Sequence, residues 1–308
     1  MSRPGLRGGG VSRGDAAWLV VAVAAVSTSA PLVREAAAPA LAVAFWRNGL
    51  ASAGLVPIAA VGHRRRRAAA RPVPRAAWGL AVVAGLLLGA HFAAWISSLS
   101  YTTVAASVAL VATQPVWTAL LGRATGEHLA PVAWSGIALA LGGVLLITGA
   151  DLTSSGRSLH GDLLALAGGV LAAGYVSVGT VARRHLTTTD YTAACYSVAA
   201  VSLLVAALVA GQHLTGFDAR TWWCLIAITV GPQLLGHSVF NRLLRTVGPT
   251  VVSVAVLGEI VGSALLAAWW FGEHPPAALV PGAACIVGGV VLVIRGRSAV
   301  SEPEVVAG

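Results

Sequence analysis

Charged residues are scarce in this chain, and their scarcity excludes most soluble proteins. Only 10% of the 308 residues are charged, whereas a soluble domain has about 25%. Hydrophobic residues make up 57% of the chain. Apolar runs of about 20 residues, the length that spans a bilayer as a helix, recur along almost its whole length. The composition therefore predicts a multi-pass membrane protein whose function lies within its membrane-spanning part.

Lysine is absent, so all 20 basic residues are arginines. They give a formal net charge of +9, but they cluster in short loops on alternate sides of the apolar runs. No basic face is continuous enough to follow a nucleic acid, so we expect no nucleic-acid partner. Attraction to anionic lipid and control of topology explain these clusters better.

Cysteines and enzyme motifs are also few. Cys195, Cys224 and Cys285 are odd in number and far apart, which argues against a disulfide framework or a CxxC metal site. The sequence has no GxxxxGK[ST] phosphate loop, no HExxH, no GxSxG and no paired Asp-rich motif. We therefore expect no direct use of ATP, no metal, no cofactor and no enzymatic activity.

Ten membrane spans are predicted from the apolar runs. They cover 16–33, 40–61, 77–97, 101–122, 129–149, 161–181, 191–211, 220–240, 249–271 and 277–294. The first run follows arginines and ends in small residues, as a cleavable signal peptide does. We expect it to remain as the first span, because the rest of the chain also spans the membrane. Residues 1–15 and 298–308 are then cytoplasmic tails, and the second tail is polar enough to be disordered.

Two parts of the sequence are copies of each other. A stretch beginning at Leu88 reappears at Leu234, 146 positions later, and needs no gap up to Ile147. Gly126-Glu127-His128 returns as Gly272-Glu273-His274, and His91 returns as His237. The chain therefore contains one ancestral unit twice, at 16–149 and at 161–294. Internal repeats in a membrane protein are typical of secondary transporters.

The arginines also predict the orientation. With the N-terminus inside the cell, 16 of the 20 arginines lie on the cytoplasmic side, as the positive-inside rule requires. Each repeat has five spans, an odd number, so the second copy enters the bilayer from the opposite side. We expect an all-α protein of ten transmembrane helices in two inverted five-helix repeats, with both ends in the cytoplasm.

Several passages resemble the EamA-type transporters of the drug/metabolite transporter superfamily. These passages are 27–34, Ala-Phe-Trp-Arg at 44–47, Gln-Pro at 114–115, Gly-Glu at 126–127, 241–244, Leu-Gly-Glu at 257–259 and Gly-Glu at 272–273. The resemblance implies ten helices and the transport of small metabolites. The family often has a proline just after the acidic position of the ninth span, where this chain has Ile260. We therefore expect the fourth span to be kinked at Pro115 and the ninth span to lack such a break.

Glu259 is the sharpest candidate for a functional residue. It falls at the centre of the ninth span, where an acidic residue costs about 2.5–3.5 kcal/mol on insertion scales. Its repeat counterpart is Thr113, so only one half carries the acid. Glu259 could bind a proton or a cationic substrate, or it could form a permanent pair with a neighbouring helix.

The eighth span carries a polar stripe. Gln233, His237 and Asn241 are four residues apart, so an α-helix would place them on one face. This face could line a cavity or could bond only to adjacent helices. The repeat-related His91 and His237 could act in gating or proton relay, because histidine titrates near neutral pH, or they could be packing residues inherited from one ancestor.

Three further residues are candidates for the lining of a cavity. Gln114 lies beside Pro115, which could free backbone groups for binding or could only bend the helix. Arg47 could hold an anionic group such as a carboxylate, or it could extend to the lipid headgroups. Tyr175 is expected to face inward from the sixth span. The helix-end acids Glu127 and Glu273 are assigned only a structural role.

The sequence thus predicts a secondary transporter in the plasma membrane of a bacterium. It would export an amino acid or a similar small polar molecule by alternating access, with possible proton coupling through Glu259. A lipid flippase or a membrane scaffold on the same fold is the alternative, and an intramembrane transferase is less favoured. The expected partners are the lipid bilayer and a small substrate, and either a monomer or a homodimer would suffice.

Overall fold

The chain is helical throughout the part that its structure, a computed structural model, describes. The described residues are 11–67, 73–98, 100–102, 107, 110–126, 129–148, 156–272 and 277–300, and they contain no strand. The first repeat contains α1 (Arg13–Ser27), α2 (Ser29–Glu35), α3 (Ala40–Arg67), α4 (Arg75–Ser98), α5 (Gln114–Ala124) and α6 (Pro131–Thr148). The second contains α7 (Gly156–Ala182), α8 (Thr188–Val209), α9 (Ala219–Ile228), the π-helix Thr229–His237, α10 (Ser238–Leu243), α11 (Gly248–Val256), α12 (Gly258–Phe271) and α13 (Leu279–Val300).

Eight helical segments among the described residues are long and apolar enough to cross a membrane. They are Arg13–Glu35, Ala40–Arg65, Arg75–Ser98, Leu159–Ala182, Thr188–Val209, Ala219–Leu243, Gly248–Trp270 and Leu279–Gly296. The apolar helix Pro131–Ile147, within the predicted fifth span, is shorter. The predicted fourth span, 101–122, is described only in part. Eight candidate spans therefore have direct structural counterparts.

Helix ends follow from local sequence. Thr187 begins α8 by accepting a hydrogen bond on its side chain from the backbone N–H of Asp190, and Asp218 begins α9 by accepting one from Thr221. Such caps satisfy N–H groups that the first helical turn leaves without partners. The repeat-related Gly126 and Gly272 both have a left-handed backbone, with φ of 86° and 67°, which glycine adopts without steric cost. The Gly-Glu pair that the two repeats share thus begins with a helix-ending glycine.

The helices that carry Gln114 and Glu259 are interrupted at comparable positions. A turn at 112–113 precedes α5, so Pro115 lies in the first turn of that helix. Leu257 separates α11 from α12, and the N–H of Leu257 bonds to the oxygen of Val254 in the tighter i to i−3 pattern. The expectation that the ninth span lacks a break was therefore wrong. Proline is one cause of an interruption, and a short 3₁₀ turn is another that needs no proline.

Close packing between α6 and α13 depends on glycines. A Cβ added to Gly136 would lie 2.7 Å from the oxygen of Gly289, and one added to Gly143 would lie 2.5 Å from the oxygen of Gly282. Residue numbers rise along one helix as they fall along the other, so the two helices cross in antiparallel directions. Small residues allow this backbone approach, which is how helices commonly associate in lipid.

Candidate functional site

A cavity of about 100 Å³ lies between helices of both repeats. Its wall includes residues of α3, α4, α7, α10, α11 and α12 together with the end of the π-helix. One water needs about 10–15 Å³ by such a measure, so the space suits a molecule of a few heavy atoms. Seven of the residues predicted from sequence line it, namely Arg47, His91, Gln114, Tyr175, His237, Asn241 and Glu259.

Arg47 is the most buried cation in this wall, with 1% of its surface exposed. Its Nε donates to Oε1 of Gln233 at 2.8 Å, and its Nη1 reaches Oγ of Ser29 only at 3.5 Å. Its Cζ lies 4.4 Å from the ring centroid of Phe92, a cation–π distance. Its Nη2 is buried and has no hydrogen-bond partner among the described residues. Arg47 therefore does not extend to the headgroups.

Gln233 lies behind Arg47 and fixes its orientation. Nε2 of Gln233 donates to Oδ1 of Asn48 at 3.0 Å, and Nδ2 of Asn48 donates to the oxygen of Ala44 at 2.9 Å. Because a backbone carbonyl can only accept, this chain of bonds defines which end of each amide is oxygen. The oxygen of Gln233 is thereby turned toward Arg47.

The predicted polar stripe on the eighth span is only partly correct. His237 and Asn241 line the cavity, but Gln233 is fully buried behind Arg47 rather than in the cavity wall. The stripe assumed an α-helix, whereas Thr229–His237 is a π-helix. The i to i+5 bonding of a π-helix changes which residues share a face, and such segments are frequent at functional sites.

Glu259 faces the cavity from the first turn of α12 and is half-buried. The helix begins one residue earlier, so the partial positive charge of its N-terminus favours a carboxylate there. Within the described part of the chain, Glu259 and Arg47 line the same cavity without forming an ion pair. On the following turn Gly262 packs against Ser27, and Ser263 donates to the oxygen of Ser27 at 2.9 Å.

The two repeat-related histidines lie in the same cavity wall. Nδ1 of His91 is 2.9 Å from the oxygen of Gly168, and its ring stacks on Trp95 with a centroid distance of 6.0 Å. Since the carbonyl accepts, Nδ1 carries the proton, and Nε2 of the neutral ring is an acceptor. His237 meets the ring of Phe92 edge-on. No group of three potential metal ligands occurs in the described ranges.

Hydrogen bonds tie the remaining candidates to neighbouring helices. Tyr175 donates to Oδ1 of Asn241 at 2.8 Å. Gln114 donates weakly to Oγ of Ser253 at 3.4 Å, and Thr118 lies 3.1 Å from the same oxygen. These contacts join α7 to α10 and α5 to α11. The cavity wall is therefore held together by polar contacts within and between the two repeats.

Sequence reasoning missed several residues of the site, among them Ser29, Asn48, Phe92 and Trp95. Trp95 lines the cavity, and its Nε1 is a second buried donor without a partner among the described residues. The spacing of four residues between His91 and Trp95 was an available signal, because it places both on one helix face. Glu127 and Glu273 lie outside the described residues.

A small apolar cluster and an ion pair join α2 and α3 to α9. The cluster contains Leu32, Val43, Cys224 and Leu225. Arg220, of α9, pairs with Glu35, of α2. These contacts connect elements of the first repeat to one of the second.

The fold and the cavity define a class of helical, multi-pass membrane proteins with an internal polar site. A profile of the EamA-like transporter family matches residues 15–149 and 159–295, so this chain belongs to that family. An uncharacterized transporter of Archaeoglobus fulgidus is 26% identical over 198 residues, which are 63% of this chain and 68% of the relative. A protein of known crystal structure matches with a TM-score of 0.75 and 20% identity, over 94% of this chain and 99% of that one. This last likeness concerns the fold alone. The chain is thus a membrane transporter by family.

Proposed function

We propose that this protein is a secondary transporter that exports a small polar metabolite, an amino acid or a related compound, across a bacterial plasma membrane. The observation that carries the proposal is the cavity in which Arg47 and Glu259 face one space without pairing. Charged side chains within membrane helices are costly and usually mark a substrate or ion pathway. A small cavity with both charge signs suits a small molecule that carries both.

The topology we propose has ten spans in two inverted repeats, 16–149 and 161–294, with both tails in the cytoplasm. The arginine distribution supports this orientation, and the two interrupted helices support the relation between the repeats. Inverted halves can rock about a site near the midplane, which yields alternating access. One chain contains both halves, so a monomer suffices and a homodimer is compatible.

Glu259 is the proposed coupling residue, and the carrier needs no bound cofactor. A carboxylate that faces the cavity can take up a proton in one orientation and release it in the other. The histidines 91 and 237, together with Gln114, Tyr175 and Asn241, are proposed to contact the substrate or the proton from the same wall.

Proton flux in proteoliposomes tests this function. Purified protein is reconstituted, amino acids and related metabolites are added singly, and internal pH and labelled substrate are followed for the wild type and Glu259→Gln. We expect substrate-dependent proton movement in the wild type and its loss in the variant. Substrate movement that is unchanged in Glu259→Gln, without proton flux, would leave a facilitator. No movement of any compound by folded protein would contradict transport of amino acids and return weight to a flippase or a scaffold.

A further inference from the structure

We propose that the end of the Arg47 side chain is a carboxylate-binding site, and that Gln233 and Asn48 are positioning residues that prepare it. The inference rests on the proposed transport function and narrows its substrate to small molecules with a carboxylate and a separate cationic group. The structure supplies three independent arguments, from burial, from the geometry of the guanidinium and from charge balance.

The burial of Arg47 requires a further acceptor. Its guanidinium has lost nearly all contact with solvent, yet Nη2 has no partner among the described residues, and Nη1 has one only at 3.5 Å. A buried donor without an acceptor carries the full cost of desolvation, which is larger for charged groups. A ligand oxygen would remove that cost if it displaced the side chains that cover Nη2, which has almost no accessible surface in this state.

The geometry of Arg47 selects the kind of acceptor. Gln233 already occupies Nε at 2.8 Å, so a ligand cannot bind the side of the guanidinium that combines Nε with one terminal nitrogen. The remaining edge, Nη1 and Nη2, presents two parallel N–H donors, which match the two oxygens of a carboxylate. Phe92 covers one face of the group, so the ligand must approach along this edge.

Charge balance favours a carboxylate on a molecule that also has a cation. Glu259 lines the same cavity. Its negative charge would repel a phosphate or a dicarboxylate, and the single positive charge of Arg47 could not balance such a ligand. A zwitterion gives each protein charge an opposite partner. His91 adds an acceptor through Nε2, and Trp95 adds a donor through its buried Nε1. The size of the cavity, about 100 Å³, favours a small ligand.

Amino acids and their C-terminal amides provide the decisive comparison, because they differ only in the group that Arg47 would bind. Alanine, serine and threonine are compared with their amides, by thermal shift of purified protein and by counterflow in proteoliposomes. For each acid that is transported, we expect the wild type to bind the amide at least tenfold more weakly. Equal binding and equal transport of acid and amide would overturn the carboxylate site but leave the transport function intact. Failure of every acid and amide would overturn both.

Variants then distinguish effects on the position of the Arg47 side chain from effects on folding. Arg47→Gln is expected to abolish the preference for acid over amide, and Arg47→Lys to retain part of it.

Gln233→Glu places a carboxylate against Arg47 and is expected to lower acid binding without lowering amide binding. Asn48→Leu removes the acceptor of Gln233 Nε2 and is expected to reduce the preference in protein that remains folded. Arg184→Gln, at an exposed position outside the cavity, is the control and should keep the full preference. A preference that survives in Asn48→Leu and Gln233→Glu would overturn their positioning role.

Discussion

Two adjacent arginines show how differently neighbouring side chains of one type can act. Arg183 is buried, and its guanidinium donates to the backbone oxygens of Asn241 and Leu186 and to Oγ1 of Thr188. Arg184 is exposed. Both follow α7, which ends at Ala182. Arg183 ties the end of α7 to the segment that carries the cavity residue Asn241.

Truncation of these arginines should therefore have unequal effects. Arg183→Ala leaves three acceptors without their charged donor, and hydrogen bonds to charged groups contribute about 1.5–3 kcal/mol each before relaxation. We expect a loss of stability on the order of 2–4 kcal/mol, seen as a lower melting temperature in detergent. Arg184→Ala is the matched control and should change stability by less than about 0.5 kcal/mol. Equal melting temperatures for the two variants would refute the assigned role of Arg183.

Single charged residues were the part of the site that sequence could predict. Arg47 and Glu259 are conspicuous because a charge within an apolar span is costly, and the structure places both in one cavity wall. The position of Gln233 was not predictable from spacing, because its segment is π-helical. Asn48 has no unusual sequence context, and its importance depends on a partner 185 residues away.

Among the helices, the crossing of α6 and α13 gives the most specific prediction. Gly289→Ala places a methyl group 2.5 Å from the oxygen of Gly136, which is backbone and cannot rotate away. Overpacking of this kind costs about 1–3 kcal/mol, so we expect a lower melting temperature and less folded protein. Gly142→Ala on α6 is the control, since its new Cβ meets nothing within 4 Å, and alanine has the higher helix propensity. A destabilisation by Gly142→Ala as large as that by Gly289→Ala would contradict this packing.

The helices themselves were predicted well where apolar runs were continuous, and less well where they are interrupted. The turn before Pro115 lies beside an evident helix breaker. The interruption at Leu257 lies eight residues after the preceding proline, Pro249, and only its relation to the first repeat offered a hint. Local backbone changes of this kind depend on neighbouring helices rather than on local propensity.

Across the chain, the ion pair between Glu35 and Arg220 is expected to favour the state in which α2 and α9 are in contact. The Arg220 side chain is 71% exposed and that of Glu35 is 14% exposed. An ion pair with an exposed member contributes about 0.2–1 kcal/mol, so Glu35→Gln should raise the population in which α2 and α9 separate by up to about fivefold. Cys224, 8% exposed in the adjoining cluster, is a native reporter of that opening. In a Cys195→Ala, Cys285→Ala background, we expect faster labelling of Cys224 by a membrane-impermeant maleimide.

The exchanged pair, Glu35→Arg with Arg220→Glu, is the control for this prediction. It restores opposite charges across the same gap and should return the labelling rate toward that of the parent. A rate in Glu35→Gln that equals the parent rate would mean that the apolar cluster alone closes this side.

At Gly136–Gly289 and Gly143–Gly282, the backbones of α6 and α13 approach each other directly, because glycine has no side chain to hold them apart. We therefore expect α6 and α13 to keep a constant separation while the elements around the cavity rearrange. Spin labels on these two helices should report one distance in the presence and absence of substrate. That constant distance would be a reference against which other movements in the protein can be measured.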